Sequence, residues 1–170
     1  AVVVIDAPGL GPADVDADAE RFRAYHREMA SAIERCAWDG AWYARAFDDE
    51  GRPLGVAGET EQRISLNPQT WAVIAELDDG AHLAQAMESV QRRLSTPVGL
   101  ALLWPAYRSG SERVRGTSTF PPGAKENGGV FCHAHAWAII AAAQLGWADR
   151  ALEYYHQVLP LTRADAERAA

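Results

Sequence analysis

Between Gly99 and Gly129 the chain carries Pro105, Gly110, Gly116, Pro121, Pro122, Gly123, Gly128 and Gly129, too close together for a helix or long strand to run through. Proline lacks an amide hydrogen and fixes φ, and glycine loses the most freedom when held in regular structure. The segment is therefore an irregular loop, and a loop this long inside a compact domain is either functional or disordered. On both sides apolar residues recur every three or four positions, the period of an amphipathic helix. The chain reads as a helical framework built around one elaborate loop.

The helices can be placed in turn. Asp16 or Asp18 is positioned to cap a helix reaching about Ala37, with Phe22, Tyr25, Met29, Ile33 and Cys36 as one buried stripe. Glu20 near its start and Arg35 near its end suit the helix dipole. Residues 1–15, with Pro8, Gly9, Gly11 and Pro12, read as a strand-like stub or linker, leaving 16–170 as the folded domain. Ala41 to Phe47 alternates enough for a short strand, Asp48-Asp49-Glu50-Gly51 is a turn, and Arg52 to Val56 returns as the second strand of a hairpin. Asn67-Pro68 predicts a helix start, with Asn as cap and Pro at the first position, and that helix includes Trp71, Ile74 and Ala75. The next runs from about Ala81 to Leu94 and turns Leu83, Met87, Val90 and Leu94 to one face. Beyond the loop, a small-residue helix spans Cys132 to Leu145 and stops at Gly146. Another spans Ala148 to Leu159 and stops at Pro160, and Thr162 with Asp165 begins one more. No period of about 20 to 50 residues repeats.

Composition sets the outer limits. With 170 residues, 48% of them apolar and 23% charged, the chain has the balance of one globular domain. A net charge of -7 argues against a nucleic-acid partner, and no cationic amphipathic stretch suits a membrane surface. Ala1-Val2-Val3-Val4-Ile5 is cut off by Asp6, too short for a signal-peptide core, so a cytoplasmic location is expected. Cys36 and Cys132 form no CxxC pair, and neither a disulfide framework nor a zinc site is indicated. The 6 tryptophans are many for this length. Most Trp residues are core, but indole faces also stack on the C–H faces of sugar rings.

The residues that bear chemistry gather in the loop. Phe120-Pro121-Pro122-Gly123-Ala124-Lys125-Glu126-Asn127-Gly128-Gly129 places a cation, an anion and an amide side by side, then leads into a helix whose first amides suit an anion. The plain alternative is a surface loop with solvated charges. His133 and His135 sit in that first helical turn. Two residues apart on a helix, they point about 200° away from each other, so they cannot share a metal; one faces the site while the other packs. Asp39, Asp48, Asp49, Glu59, Glu61 and Glu126 are candidate acids or bases, yet no spacing marks a proton donor. No GxSxG, P-loop or GxGxxG is present.

Three stretches together resemble glycoside hydrolase family 94. They are Trp38-Asp39-Gly40-Ala41-Trp42-Tyr43-Ala44-Arg45-Ala46-Phe47-Asp48-Asp49-Glu50-Gly51, then Ile64-Ser65-Leu66-Asn67-Pro68-Gln69-Thr70-Trp71. The third is Phe120-Pro121-Pro122-Gly123-Ala124-Lys125-Glu126-Asn127-Gly128-Gly129-Val130-Phe131-Cys132-His133. They occur in the family's order. Members include cellobiose, chitobiose and laminaribiose phosphorylases and the phosphorylase-like region of cyclic β-1,2-glucan synthases. The resemblance implies an all-α fold: part of an (α/α)6 barrel with a small hairpin and a long active-site loop. It implies inverting phosphorolysis, in which phosphate as co-substrate attacks a β-linked disaccharide or oligosaccharide and leaves an α-sugar 1-phosphate. No metal or other cofactor is implied. Lys125 and Glu126 match family positions that bond sugar hydroxyls, and His133 matches one that contacts phosphate, so Pro121 to Trp137 would line the site.

The chain departs from the family pattern in instructive ways. The family's proton-donating Asp lies in a Trp-Asn-Asp type segment upstream of the position of Trp38, and no such segment stands there, so no catalytic residue is assigned within this chain. The family's earlier phosphate-binding arginines and a downstream Thr-Gly pair are missing too. After His133 comes Ala134-His135-Ala136-Trp137, where disaccharide phosphorylases usually carry an Asn and a Pro. The expectation is a fragment of a longer enzyme, inactive alone, whose uncovered faces favour a dimer or the remainder of the same enzyme. Two rivals stand beside it. Residues from Gln144 to Tyr155 resemble one tetratricopeptide unit, which would make the chain an interaction module, although such units work in arrays. A hydrolase or epimerase on the same barrel is the other.

Overall fold

A computed structural model describes residues 12–77, 80–108 and 110–160, and its helices follow the apolar spacing closely. In chain order the elements are α1 (Pro12–Ala37), β1 (Ala46–Phe47), β2 (Pro53–Leu54), β3 (Ile64–Ser65), α2 (Leu66–Ile74) and α3 (Ala81–Leu94). Then follow β4 (Ser95–Thr96), β5 (Gly99–Leu100), β6 (Leu103–Trp104), a 3-10 turn (Thr117–Thr119), α4 (Cys132–Gln144) and α5 (Ala148–Val158). The expected β1–β2 hairpin is present, paired Ala46 to Leu54 and Phe47 to Pro53. Two further antiparallel pairs, β3 with β6 and β4 with β5, were not legible from the sequence. The described chain is thus mainly helical, as expected, with two more short strand pairs than the single hairpin anticipated. No helix in it is long and apolar enough to cross a membrane.

α4 organises the core. Ala134, Ala138, Ala141 and Ala142 are completely buried and lie at the three- and four-residue spacing of one helical face. Their small side chains let α2 and α5 approach α4 closely, while α3 packs on α2. Tyr154 of α5 reaches under this layer and bonds Gln91 of α3 (2.8 Å), and Arg150 pairs with Glu88 (2.8 Å). α2 and α4 therefore form one layer and α3 and α5 the other. Ile64, Leu66, Met87, Val90, Leu94 and Leu100 fill the space between, each with at most 1% of its surface exposed. Burying such a side chain contributes on the order of 2 kcal/mol. The antiparallel α4–α5 hairpin is the part that resembles a tetratricopeptide unit; here it packs on α2 and follows directly from the loop.

Three expectations need correction. α1 begins at Pro12, ahead of Asp16 and Asp18, so part of the expected stub is helical; residues 1–11 and the start at Thr162 lie outside the described residues. Its stripe is not buried: Phe22, Tyr25 and Met29 are 54%, 57% and 58% exposed, and Cys36 is exposed too. The reason is that α1 meets the core mainly near its C-terminal end. Ile33 packs on the cluster, His26 reaches the Ala75 carbonyl (2.5 Å), and Glu34 bonds Tyr43 and His82. Finally, α2 starts at Leu66 with Ser65 as cap, and Asn67 makes no capping bond. The β3–β6 pairing fixes the backbone of Ser65, so helical geometry begins before Pro68 can set it.

Candidate functional site

The loop is tied by its backbone to the start of α2 and to the turn that leads into α4. Leu66 N–H donates to Leu102 O (2.9 Å), Gln62 N–H to Pro105 O (2.7 Å) and Leu102 N–H to Gly129 O (3.0 Å). Residues 102–105 thus sit between the start of α2 and the turn that feeds α4. This is why a segment with almost no regular structure still holds one shape: its buried polar groups find partners on neighbouring segments.

The turn over residues 120–129 is closed from inside. Gly123 N–H bonds Asn127 O (2.8 Å), Asn127 N–H bonds Ala124 O (3.0 Å) and Gly129 N–H bonds Lys125 O (2.9 Å). Gly129 has to be glycine here. A Cβ would stand 2.5 Å from the Lys125 carbonyl oxygen, which is backbone and cannot swing aside. At the apex Lys125 adopts φ 47°, a left-handed conformation rare for a residue with a side chain. Lys125 and Glu126 are both exposed. The Lys125 ammonium lies over the Phe120 ring (4.7 Å), and Glu126 makes no side-chain hydrogen bond or ion pair among the described residues.

The structure separates the two histidines as helical geometry predicts. His135 is fully buried: Leu100 N–H donates to its Nδ1 (3.1 Å), and its Nε2 lies 2.7 Å from Tyr154 O. An amide can only donate and a carbonyl can only accept, so the ring carries its proton on Nε2 and is a structural element. His133 is exposed in the first turn of α4, between Phe131 (5.5 Å) and Trp137 (5.1 Å). Trp137 meets Trp71 of α2 edge-on at 5.3 Å, which extends the aromatic surface from α4 to α2. The first amides of α4 have no acceptor within the helix, and they surround the base of His133.

The tryptophans divide unevenly between core and surface. Trp42 is buried and donates to Gly55 O (3.1 Å) and Arg63 O (2.9 Å). Trp71 and Trp104 are about half exposed, at 47% and 55%, and the other three are partly buried. Trp71 also walls an apolar groove of about 390 Å³ with Ile33, Phe47 and Pro68. A second cavity, of about 470 Å³, lies against Gly123, Gly128, Gly129 and Cys132; Lys125, Glu126 and His133 are not among its walls.

Most candidate carboxylates are committed to structure. The Asp48 side chain, 8% exposed, accepts from Arg52 and from Arg113 (both 2.9 Å). Burial raises its pKa, but the Arg52 backbone amide and the two guanidiniums outweigh this and hold it below the usual carboxylate value. Glu59 pairs with Arg113 (2.8 Å), Asp39 accepts from Ala57 N–H (2.5 Å) and Glu61 from Arg108 N–H (2.8 Å). Asp48-Asp49-Glu50-Gly51 is therefore a turn, held by this network. Among the described residues no three His, Cys, Asp or Glu side chains are grouped to hold a metal ion.

The model of the catalytic domain of the glycosyl hydrolase 94 superfamily matches residues 12–169. The chain belongs to this family. Among its glycosyl hydrolase 94 relatives, it is similar to the 3-O-beta-D-glucopyranosyl-beta-D-glucuronide phosphorylase of Paenibacillus borealis, 34% identical over 143 residues, which are 84% of this chain and 18% of that protein. The solabiose phosphorylase of the same organism is 34% identical over 137 residues, 81% of this chain and 18% of the relative. The N,N'-diacetylchitobiose phosphorylase of Vibrio proteolyticus is 32% identical over 152 residues, 88% and 19% of the two chains. The chain thus spans less than a fifth of the length of these family members.

Proposed function

We propose that this chain forms one wall of the active site of an inverting glycoside phosphorylase, contributing two successive helix pairs of an (α/α)6 barrel. The observation that carries this reading is the fate of three side chains. Lys125, Glu126 and His133 all face solvent with no hydrogen bond or ion pair to the described protein, while the backbone beneath them is closed by its own bonds. An exposed cation, anion and imidazole on a fixed frame suit a polar substrate that brings its own hydroxyls and charge.

In this reading Lys125 and Glu126 bond hydroxyls of a β-linked disaccharide or oligosaccharide. The Lys125 ammonium donates hydrogens and the Glu126 carboxylate accepts them, so each hydroxyl can be held in a set orientation. His133 and the first amides of α4 meet inorganic phosphate, where the positive end of the helix favours an anion. A phosphate oxygen forms the new bond at the anomeric carbon from the face opposite the glycosidic oxygen. That C–O bond breaks, the departing oxygen takes a proton from an aspartic acid outside this chain, and an α-sugar 1-phosphate results. Phosphate is already nucleophilic, so no base is needed to activate it. No metal or cofactor takes part. The names of the relatives support disaccharide phosphorolysis as a class, and the remainder of the enzyme covers the open faces of this wall.

The test uses the complete protein carrying this chain. It releases sugar 1-phosphate from a β-linked disaccharide only when phosphate is supplied; equal cleavage without phosphate refutes the reading. His133→Ala raises the KM for phosphate more than the KM for sugar, and the reverse pattern refutes the role of His133.

A further inference from the structure

Asn127 stands next to Lys125 and Glu126 in sequence, yet none of its surface is exposed. Its carboxamide is fully engaged. Oδ1 accepts from Tyr107 N–H (2.8 Å), and Nδ2 donates to Tyr107 O (2.8 Å) and to Phe120 O (2.7 Å). All three partners are main-chain atoms, two on a separate segment of the loop and one at the entrance to the turn. The backbone of Asn127 meanwhile closes the turn on Gly123 and Ala124. Lys125 sits between these bonds in its left-handed conformation.

We infer that Asn127 is a positioning residue, whose carboxamide sets the direction in which the turn presents Lys125 and Glu126 to the ligand. This rests on the reading above, in which those two side chains meet sugar hydroxyls. Neither makes a side-chain hydrogen bond among the described residues, and Lys125 leans on the Phe120 ring, so their placement depends on the backbone of the turn and of Phe120, both of which Asn127 holds. A buried polar group with every bond made rigidifies its surroundings, whereas one left half satisfied loosens them. Alanine would leave Tyr107 N–H, Tyr107 O and Phe120 O without these partners at once.

Tyr107 makes the inference separable from general stability. Its main chain holds Asn127, but its hydroxyl belongs to another branch: it donates to Gln62 Oε1 (2.5 Å), and Gln62 Nε2 donates to Ser65 Oγ (3.0 Å) at the start of α2. Tyr107→Phe therefore breaks the branch to α2 and spares the contact to Asn127.

The experiment compares wild type, Asn127→Ala, Asn127→Ser and Tyr107→Phe in the complete protein, with steady-state phosphorolysis and amide hydrogen exchange as readouts. Asn127→Ala raises the sugar KM about tenfold or more, as expected when a binding group is displaced by a fraction of an ångström, and leaves the phosphate KM within about twofold. Exchange at Tyr107 and across residues 123–129 accelerates. Asn127→Ser retains one hydroxyl donor, falls between the two, and serves if the alanine variant does not fold. Tyr107→Phe loses stability with its sugar KM unchanged. Equal rises in both KM values, or a rise in sugar KM for Tyr107→Phe matching that of Asn127→Ala, overturn the inference. If the wild type shows no phosphate-dependent cleavage, the underlying reading falls and the positioning of a sugar-binding pair falls with it. Exchange then judges the clamp by itself, and an unchanged Tyr107 amide in both Asn127 variants overturns that as well.

Discussion

Gly129→Ala is the sharpest single perturbation of the turn. The added Cβ stands 2.5 Å from Lys125 O, 3.1 Å from Lys125 N and 3.3 Å from Lys125 C. Real Cβ contacts essentially never fall under 3.0 Å, and all three neighbours are backbone. Relief requires the Lys125 peptide to move, which breaks the Gly129 N–H to Lys125 O bond (2.9 Å). A lost hydrogen bond costs about 1 kcal/mol, with more if a partner stays buried and unpaired, and overpacking adds about 1–3 kcal/mol, so about 2–4 kcal/mol is expected. Two glycines calibrate the result. Gly123 has φ 81° with nothing within 4 Å of a Cβ, so Gly123→Ala costs about 1–2 kcal/mol from backbone conformation alone. Gly58 has an ordinary φ and equally open space, so Gly58→Ala is neutral or stabilising by about 0.5 kcal/mol through the unfolded chain. Urea unfolding followed by tryptophan fluorescence should rank stability as Gly58→Ala, wild type, Gly123→Ala, Gly129→Ala. A Gly129→Ala variant within about 0.5 kcal/mol of Gly58→Ala would refute the close-approach reasoning.

Two further outcomes follow from the same structure. Burial, and then the charges of Glu59 and Glu61, push the Tyr107 phenol up to about 12. Because this lies above its unfolded value near ~10, its contribution is intact below that pH and is lost as pH rises through about 12, on the order of 1–3 kcal/mol. Alkaline unfolding of Tyr107→Phe should lack that component; an identical pH profile would count against it. In this chain expressed alone, Phe22→Lys with Met29→Lys should leave the melting temperature unchanged, since both side chains are over half exposed. A melting temperature several degrees lower would mean that the stripe is covered after all.

The sequence disclosed whatever depends on local periodicity. The bounds of α3 and α4 could be read to within a residue, because Leu83, Met87, Val90 and Leu94 keep one face and Gly146 ends α4 in a left-handed turn. The opposed placements of His133 and His135 were equally legible, since residues two apart on a helix cannot face the same way. What stayed hidden depends on partners distant in the chain. Ile64 finds Trp104 across forty residues, and that pairing moved the start of α2. Asn127 looked like a third polar group beside Lys125 and Glu126, and only its bonds to Tyr107 and Phe120 show that it belongs to the interior. The α1 stripe failed for a related reason: spacing marks which face is apolar and says nothing about whether anything lies opposite it.

The anchoring of His135 has a consequence for how this region tolerates change. Because its ring is locked between Leu100 and Tyr154, the rotation of α4 about its own axis is fixed from within. His133 then meets solvent by arithmetic, as it stands a fixed number of residues earlier. Inserting or deleting one residue between His133 and His135 would turn one histidine by about 100° relative to the other. The interior would then lose its histidine, or the surface would lose His133, whichever end yielded. The spacing between the two histidines is therefore under a constraint of length, and a substitution at Ala134 should be far better tolerated than a gap beside it.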